Sequence, residues 1–116
     1  MPKDITIRDI QEWEKSFSKK KSVPQEEETA VKIAVLKLME EAGEVAKAIL
    51  EKEWDEVPAE VSDVIVFACK IANIAEEMHG TDKLSNVLKR KMEYCDRRKY
   101  DRNNKKLDKP ADKEFK

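Results

Sequence analysis

The stretch VIVFACKIANIA, residues 64–75, decides the fold, because it is long enough for a helix and its side chains are almost all uncharged. Asp55 and Pro58 mark the predicted start of this helix, and Gly80 after His79 marks its end. A helix that is apolar on nearly every side must be covered on nearly every side. We therefore expect either a helix at the centre of a monomeric bundle or one that further copies of the chain cover.

Three more helices are predicted around this one from capping residues and helix breakers. The first helix is predicted to begin at the capping box Thr6–Asp9 and to end at the lysine run 19–21. The second is predicted to begin at Ser22–Gln25, around Pro24, and to end at about Glu53. The fourth is predicted to begin at Thr81 or Asp82 and to end at about Arg98. The chain of 116 residues has only two Gly and four Pro, which is too few for the tight turns of a β-sandwich or barrel. We predict an all-α, four-helix bundle-like domain over residues 1–100, followed by a charged, mobile tail over residues 101–116.

Several classes of protein are excluded by the same residues. No apolar stretch reaches about 18 residues, so no membrane-spanning helix is predicted. The N-terminus lacks the apolar core of a signal peptide, which leads us to expect a cytoplasmic protein. Cys69 and Cys95 lack CxxC spacing and are expected to be free thiols. The single His79 cannot build a His-rich zinc site, so hydrolytic chemistry would have to use carboxylates.

Charge is divided unevenly along the chain, although the net charge is only -1. Residues 37–63 contain nine acids and three lysines, a net charge of -6. Residues 83–106 contain ten bases and three acids, a net charge of +7. An acidic middle and a basic end suit a metal ion held beside a phosphate, whereas the alternative is mutual neutralisation between two solvated helix faces.

Five carboxylates are the candidate site: Glu40, Glu41 and Glu44 on helix two, and Glu60 and Asp63 on helix three. Asp63 borders the apolar run, where a carboxylate is costly unless a cation or hydrogen bonds compensate it. If helices two and three pack antiparallel, Glu41 and Glu44 face Glu60 and Asp63. Oxygen ligands without His or Cys favour Mg²⁺ or Mn²⁺. The alternative is an acidic helix face that is simply solvated.

The segments EEAGE at 40–44 and EVSD at 60–63 resemble the EExxE…ExxD signature of the MazG-like, all-α nucleoside triphosphate pyrophosphohydrolases. The resemblance runs from about Ile7 to Tyr100 and includes the order of the helices. It implies Mg²⁺-dependent hydrolysis between the α- and β-phosphates, which gives a nucleoside monophosphate and pyrophosphate, and a role in removing surplus or non-canonical nucleotides.

The same resemblance implies roles for the five carboxylates. Glu41, Glu44, Glu60 and Asp63 would be the ligands of Mg²⁺. Glu40 would orient or deprotonate the attacking water, or help to hold a further metal ion.

Phosphate and base contacts are expected outside the acidic motif. Lys91, Arg97 and Arg98 of helix four are the predicted phosphate-binding residues, although the sequence around Lys91 lacks the Lys–Arg pair one turn apart that some family members carry. Trp13 and Phe17 of helix one can stack on a nucleobase, and the alternative is that both rings belong to the core.

A homodimer or homotetramer is the expected assembly, because four helices from about 100 residues can hardly cover helix three. Gly43 lies inside helix two, where it costs roughly 1 kcal/mol relative to Ala, so we expect a backbone or ligand to approach it closely. Two other functions stay open, a phosphoribosyl-ATP pyrophosphohydrolase and a non-catalytic helical oligomerisation module. Nucleic-acid binding is not expected from a net charge of -1.

Overall fold

The computed structural model describes residues 4–108, and four α-helices account for most of them. The helices are α1 (Ile7–Lys20), α2 (Glu27–Leu50), α3 (Val57–His79) and α4 (Leu84–Asp96), with a 3₁₀ turn at Trp54–Glu56 before α3. Two short strands, β1 (Tyr100–Asp101) and β2 (Lys106–Leu107), pair as an antiparallel hairpin. The all-α prediction and the order of the helices are confirmed.

The start of α1 follows the sequence, whereas the start of α2 does not. Thr6 and Asp9 form a capping box in which each side chain accepts a hydrogen bond from the backbone N–H of the other. The predicted start of the second helix at Ser22–Gln25 is wrong, since α2 begins at Glu27 and Glu26 caps it. Ser22 has a φ of 56°, which is a left-handed backbone conformation. This conformation is incompatible with a right-handed helix, so α2 cannot begin at Ser22.

Helix α3 follows the prediction closely and α4 less so. Pro58 lies in the first turn of α3, and Gly80 ends it in the left-handed conformation with φ 62°. The predicted caps of the fourth helix are wrong by one or two residues, because Lys83 precedes α4 and its side chain caps nothing. Asp82 instead accepts hydrogen bonds from the Lys83 backbone N–H and from Arg90. Helix α4 ends at Asp96 rather than Arg98, where the chain leaves for the hairpin.

The chain divides into two compact units, the first ending at Thr81 and the second beginning at Asp82. In the first unit α3 packs against both α1 and α2. Its buried apolar side chains are small ones: Ala30, Ala34, Ala48 and Cys69. Many large apolar side chains are exposed, and Val61 and Ile65 on α3 are among them. One copy of the chain therefore leaves part of α3 uncovered.

The second unit consists of α4 and the hairpin. Arg98 joins them, since its guanidinium donates hydrogen bonds to the backbone oxygens of Leu107 and Asp108. The predicted boundary after residue 100 falls inside β1. The mobility of residues 101–116 stays a prediction, and residues 109–116 lie outside the described part of the chain. Within residues 4–108, no helix has both the length and the apolar character needed to cross a bilayer.

Candidate metal centre

Three carboxylates meet where α2 lies beside α3. Oxygens of Glu41, Glu60 and Asp63 lie within 4.8 Å of one another. Glu60 and Asp63 are one turn apart on α3, so both point to the same side of that helix. Helix α2 runs antiparallel to α3, because Glu27 at its start pairs with His79 at the end of α3. This arrangement brings Glu41, from the second half of α2, to the first turns of α3.

The surroundings of Glu41 raise the pKa of its carboxyl group. Withdrawal from water is the largest cause that raises the pKa of this carboxyl group above its ordinary value. The charges of Asp63, Glu60 and Glu40 raise the pKa further, and Lys37 lowers it slightly. Like charges placed this close repel one another, and a bound cation would relieve the repulsion.

The chemistry of these donors fits a hard divalent cation. All three ligand atoms are carboxylate oxygens, with no imidazole or thiolate among them. Mg²⁺ prefers oxygen ligands and usually keeps positions for water and phosphate oxygens, and Mn²⁺ accepts the same ligands. Glu41 and Glu60 are half-buried and Asp63 is exposed, so the group is open on one side to a ligand.

Glu40 and Glu44 lie outside this group of three. Glu40 is exposed and its carboxylate is 3.2 Å from the Lys37 ammonium group. Glu44 lines an acidic cavity of about 170 Å³ together with Glu60. The remaining residues that line this cavity are Lys47, Ala48, Glu51, Glu53 and Glu56. Glu60 therefore borders both the carboxylate group and the acidic cavity.

The three predicted phosphate-binding bases gather around one ring. The cationic groups of Lys91, Arg97 and Arg98 lie 5.4–5.7 Å from the centre of the Tyr94 ring. Tyr94 is buried, and each of these distances falls within the range of cation–π attraction. Arg98 also holds the hairpin, so part of its hydrogen-bonding capacity is used within the second unit.

The two predicted base-binding aromatics stack on each other. The ring centres of Trp13 and Phe17 are 5.0 Å apart with 26° between the planes. Both side chains remain about two-fifths exposed, so the rings lie at the surface of this copy of the chain. The Lys21 ammonium group lies 6.0 Å from the centre of the Phe17 ring.

A buried polar cluster between α1 and α3 was not predicted from the sequence. It consists of five residues, each at most 7% exposed: Gln11, Glu14, Ser18, Lys70 and Asn73. Lys70 and Asn73 are the two polar interruptions of the apolar stretch 64–75. On α1, the polar residues Gln11, Glu14 and Ser18 are spaced three and four residues apart, so they share one face. These residues together with the two interruptions are the sequence signal that could have revealed the cluster.

The fold and the carboxylate group define an all-α protein with an oxygen-only cation site. Residues 29–102 match the MazG nucleotide pyrophosphohydrolase domain, and this match covers more than half of the chain. The chain therefore belongs to that family, as the two-part acidic motif predicted. No curated protein and no solved structure gives a match. Membership supports nucleotide pyrophosphohydrolase activity in general and the use of a divalent metal.

Proposed function

We propose that this protein is a Mg²⁺-dependent nucleoside triphosphate pyrophosphohydrolase, which releases a nucleoside monophosphate and pyrophosphate. The observation that carries the proposal is the group formed by Glu41, Glu60 and Asp63, inside a domain of the MazG family. On the family resemblance we also propose a role in clearing surplus or non-canonical nucleotides, in the cytoplasm. Both cysteines are free thiols, which agrees with a reducing compartment.

Each acidic residue has a distinct task in this proposal. Glu41, Glu60 and Asp63 would hold the cation, and Glu44 would join them when the substrate is bound. A bound divalent ion offsets phosphate charge and stabilises the leaving oxygen. Glu40 would orient the water and accept its proton as the water oxygen bonds to phosphorus. The bond that breaks is the P–O bond between the α- and β-phosphates, and pyrophosphate leaves with its electron pair.

Positive charge for the polyphosphate would come from Lys91, Arg97 and Arg98. Preorganised cations stabilise the charge that develops on a leaving phosphate. Their grouping around Tyr94 supports this role, because it concentrates three cationic groups around one side chain of the second unit. Base stacking on Trp13 and Phe17 stays a prediction.

Product analysis tests the reaction. Purified protein is incubated with a panel of nucleoside and deoxynucleoside triphosphates, with Mg²⁺ or with EDTA, and the products are separated by ion-exchange chromatography. Asp63→Asn removes one ligand, and Asp55→Asn is the matched control, because Asp55 lies in the 3₁₀ turn outside the carboxylate group.

Three outcomes are distinguishable. Monophosphate plus pyrophosphate, formed only with Mg²⁺ and lost in Asp63→Asn but not in Asp55→Asn, would support the proposal. Diphosphate plus phosphate would mean that a different bond is cleaved and would refute it. If no triphosphate is consumed, the same assay with phosphoribosyl-ATP tests the related pyrophosphohydrolase, and inactivity there leaves a non-catalytic module.

We also propose that α2 pairs with a second copy of the chain in a homodimer or homotetramer. Leu36, Met39 and Leu50 are 67%, 68% and 81% exposed. At about 100° per residue they lie within roughly 60° of one another on α2, and Gly43 falls in the same stripe. A Cβ added at Gly43 would meet no atom within 4 Å, so the close approach expected there is not made within one chain. An exposed apolar stripe with a small residue at its centre suits a second helix.

Sedimentation velocity tests this assembly. Leu50→Glu places a charge in the stripe, and Ile5→Glu is the control, because Ile5 is 61% exposed and precedes α1. We expect a dimer or tetramer for the parent and for Ile5→Glu, and a monomer for Leu50→Glu. A parent protein that sediments as a monomer at all concentrations would refute the proposal.

A further inference from the structure

The buried polar cluster is a hydrogen-bond network centred on the ion pair between Glu14 and Lys70, and Gln11 extends it to Glu76 with a hydrogen bond of 2.8 Å. The Lys70 ammonium group donates to the Glu14 carboxylate at 3.1 Å and to the Ser18 hydroxyl at 3.0 Å. Asn73 donates to the other Glu14 oxygen at 2.6 Å, and Gln11 donates to Asn73 at 2.9 Å. Two of the three N–H groups of Lys70 are thus used inside the network.

An ion pair buried this deeply contributes little to stability. The side chains of Lys70 and Glu14 are only 9% and 6% exposed, so both charges have lost most of their contact with water. Replacing such a pair with apolar residues of similar volume is often neutral or stabilising. The first unit could therefore join α1 to α3 with apolar contacts, and a reason other than stability is needed for the pair.

The network forms one wall of a cavity of about 210 Å³. Its polar lining includes Glu14, Ser18, Lys70 and Asn73 of the network and also Lys15, Lys19 and Glu77, and Ala30 and Ile74 are among its apolar residues. Sites for whole drug-sized ligands are larger, at about 300–1,000 Å³, so this volume suits a fragment such as a single heterocyclic base. The rings of Trp13 and Phe17 do not line the cavity.

Helical geometry places this cavity and the carboxylate group on the same side of the α2–α3 pair. Lys70 follows Asp63 by two turns of α3, which is about 10 Å along the axis and within about 20° of the same direction. Ala30 precedes Glu41 by three turns of α2, again within about 20° of the same direction. A nucleotide with its phosphates at the carboxylates would therefore direct its base along α3 towards the cavity.

We propose that the Glu14–Lys70 pair reads the hydrogen-bonding edge of the nucleobase in this cavity, an inference that rests on the proposed function. The ammonium group offers a donor and the carboxylate beside it an acceptor, only 3.1 Å apart. Adenine and cytosine present an amino donor beside a ring-nitrogen acceptor. Guanine, hypoxanthine, uracil and thymine present a carbonyl acceptor beside a ring N–H. Burial fixes the positions of the pair, and phosphates held at the carboxylates would fix the direction of the ribose, so only one of these two orders fits.

The family match does not assign this role to the pair. The match begins at residue 29, so α1 with Glu14 lies outside it, whereas Lys70 lies inside it. The base-reading pair therefore joins a residue of the matched domain to one that precedes it.

Steady-state kinetics on six triphosphates that differ only in the base test the inference. The variant Glu14→Gln/Lys70→Met removes both charges together, so that no unpaired charge is left buried. The control Glu12→Gln/Lys32→Met makes the same two changes on exposed side chains of α1 and α2. We expect the parent and control to favour one group of bases by roughly 5- to 150-fold in kcat/KM, the range for a two-point contact with a base. In the buried double variant we expect this preference to disappear, mainly through KM.

The outcomes separate this inference from the proposed function. A parent enzyme that cleaves all six triphosphates equally, or a double variant that keeps the parent preference, would overturn the inference and leave the pyrophosphohydrolase intact. Loss of the preference in Trp13→Ala and not in the double variant would place base recognition on the stacked rings, and would also overturn it. If no triphosphate is cleaved, calorimetric titration of the six nucleosides decides the matter. Selective binding that the double variant loses supports the cavity, and equal or absent binding refutes it.

Discussion

Removal of Lys70 alone should destabilise this protein severely. Lys70→Met deletes the ammonium group that satisfies Glu14 and Ser18, and it leaves the Glu14 carboxylate 4% exposed between α1 and α3. The remaining hydrogen bonds to that carboxylate, from Ser18 and Asn73, are neutral donors that do not compensate its charge.

The size of the effect follows from this burial. Breaking a buried ion pair by removing one partner costs about 3–5 kcal/mol. A domain of this size has a free energy of unfolding of about 5–15 kcal/mol, so the single variant would lose a large fraction of its stability. Glu14→Gln/Lys70→Met leaves no buried charge, and we expect it to lie within about 1 kcal/mol of the parent.

Urea denaturation followed by circular dichroism gives all four free energies of a double-mutant cycle. Lys32→Met is the control, because its ammonium group pairs with Glu28 on the exposed face of α2 and should change stability by less than about 0.5 kcal/mol. The reasoning is refuted if Lys70→Met costs no more than the control, or if the two single changes simply add.

Three further predictions concern charge and backbone conformation. Glu41→Gln should raise the melting temperature of the metal-free protein at pH 7, because withdrawal from water and then the charges of Asp63, Glu60 and Glu40 raise the pKa of Glu41 and so destabilise its charged form. This gain should vanish in a pH series as the acid is protonated below its ordinary pKa of 4.5. Asp82→Asn should lower the stability of the second unit at neutral pH, since Arg90 holds the pKa of Asp82 at about 2, and thermal unfolding should show this difference disappearing between pH 4 and 2. Gly43→Ala, made in the Leu50→Glu variant that we expect to be monomeric, should raise the free energy of unfolding in urea by about 1 kcal/mol, because a Cβ there meets no atom within 4 Å.

Each of these three predictions has a clear contrary result. A gain for Glu41→Gln that persists at pH 3 would mean that charge repulsion is not its cause. A stability difference for Asp82→Asn that is unchanged down to pH 2 would contradict the low pKa of Asp82. Destabilisation by Gly43→Ala in the monomer would show that the position is more crowded than the structure has it.

Much of the site was predictable because its signals are local. The two halves of the acidic motif lie on consecutive helices joined by a short connection, so antiparallel packing had to bring them close. Which acids converge was less predictable. Glu40 differs from Glu41 by about 100° on α2, and that rotation is enough to turn it from the carboxylate group towards Lys37 and solvent.

What the sequence by itself determined is the all-α fold and the ends of α1 and α3. The apolar stretch 64–75, the Thr6–Asp9 capping box and Gly80 act within one or two turns, and neighbouring residues alone decide such features. Only the tertiary structure decided that Glu14 pairs with Lys70, 56 residues away. Helical periodicity says which residues share a face, but packing between helices chooses which faces meet. The Glu14–Lys70 pair forms because packing places those faces of α1 and α3 against each other.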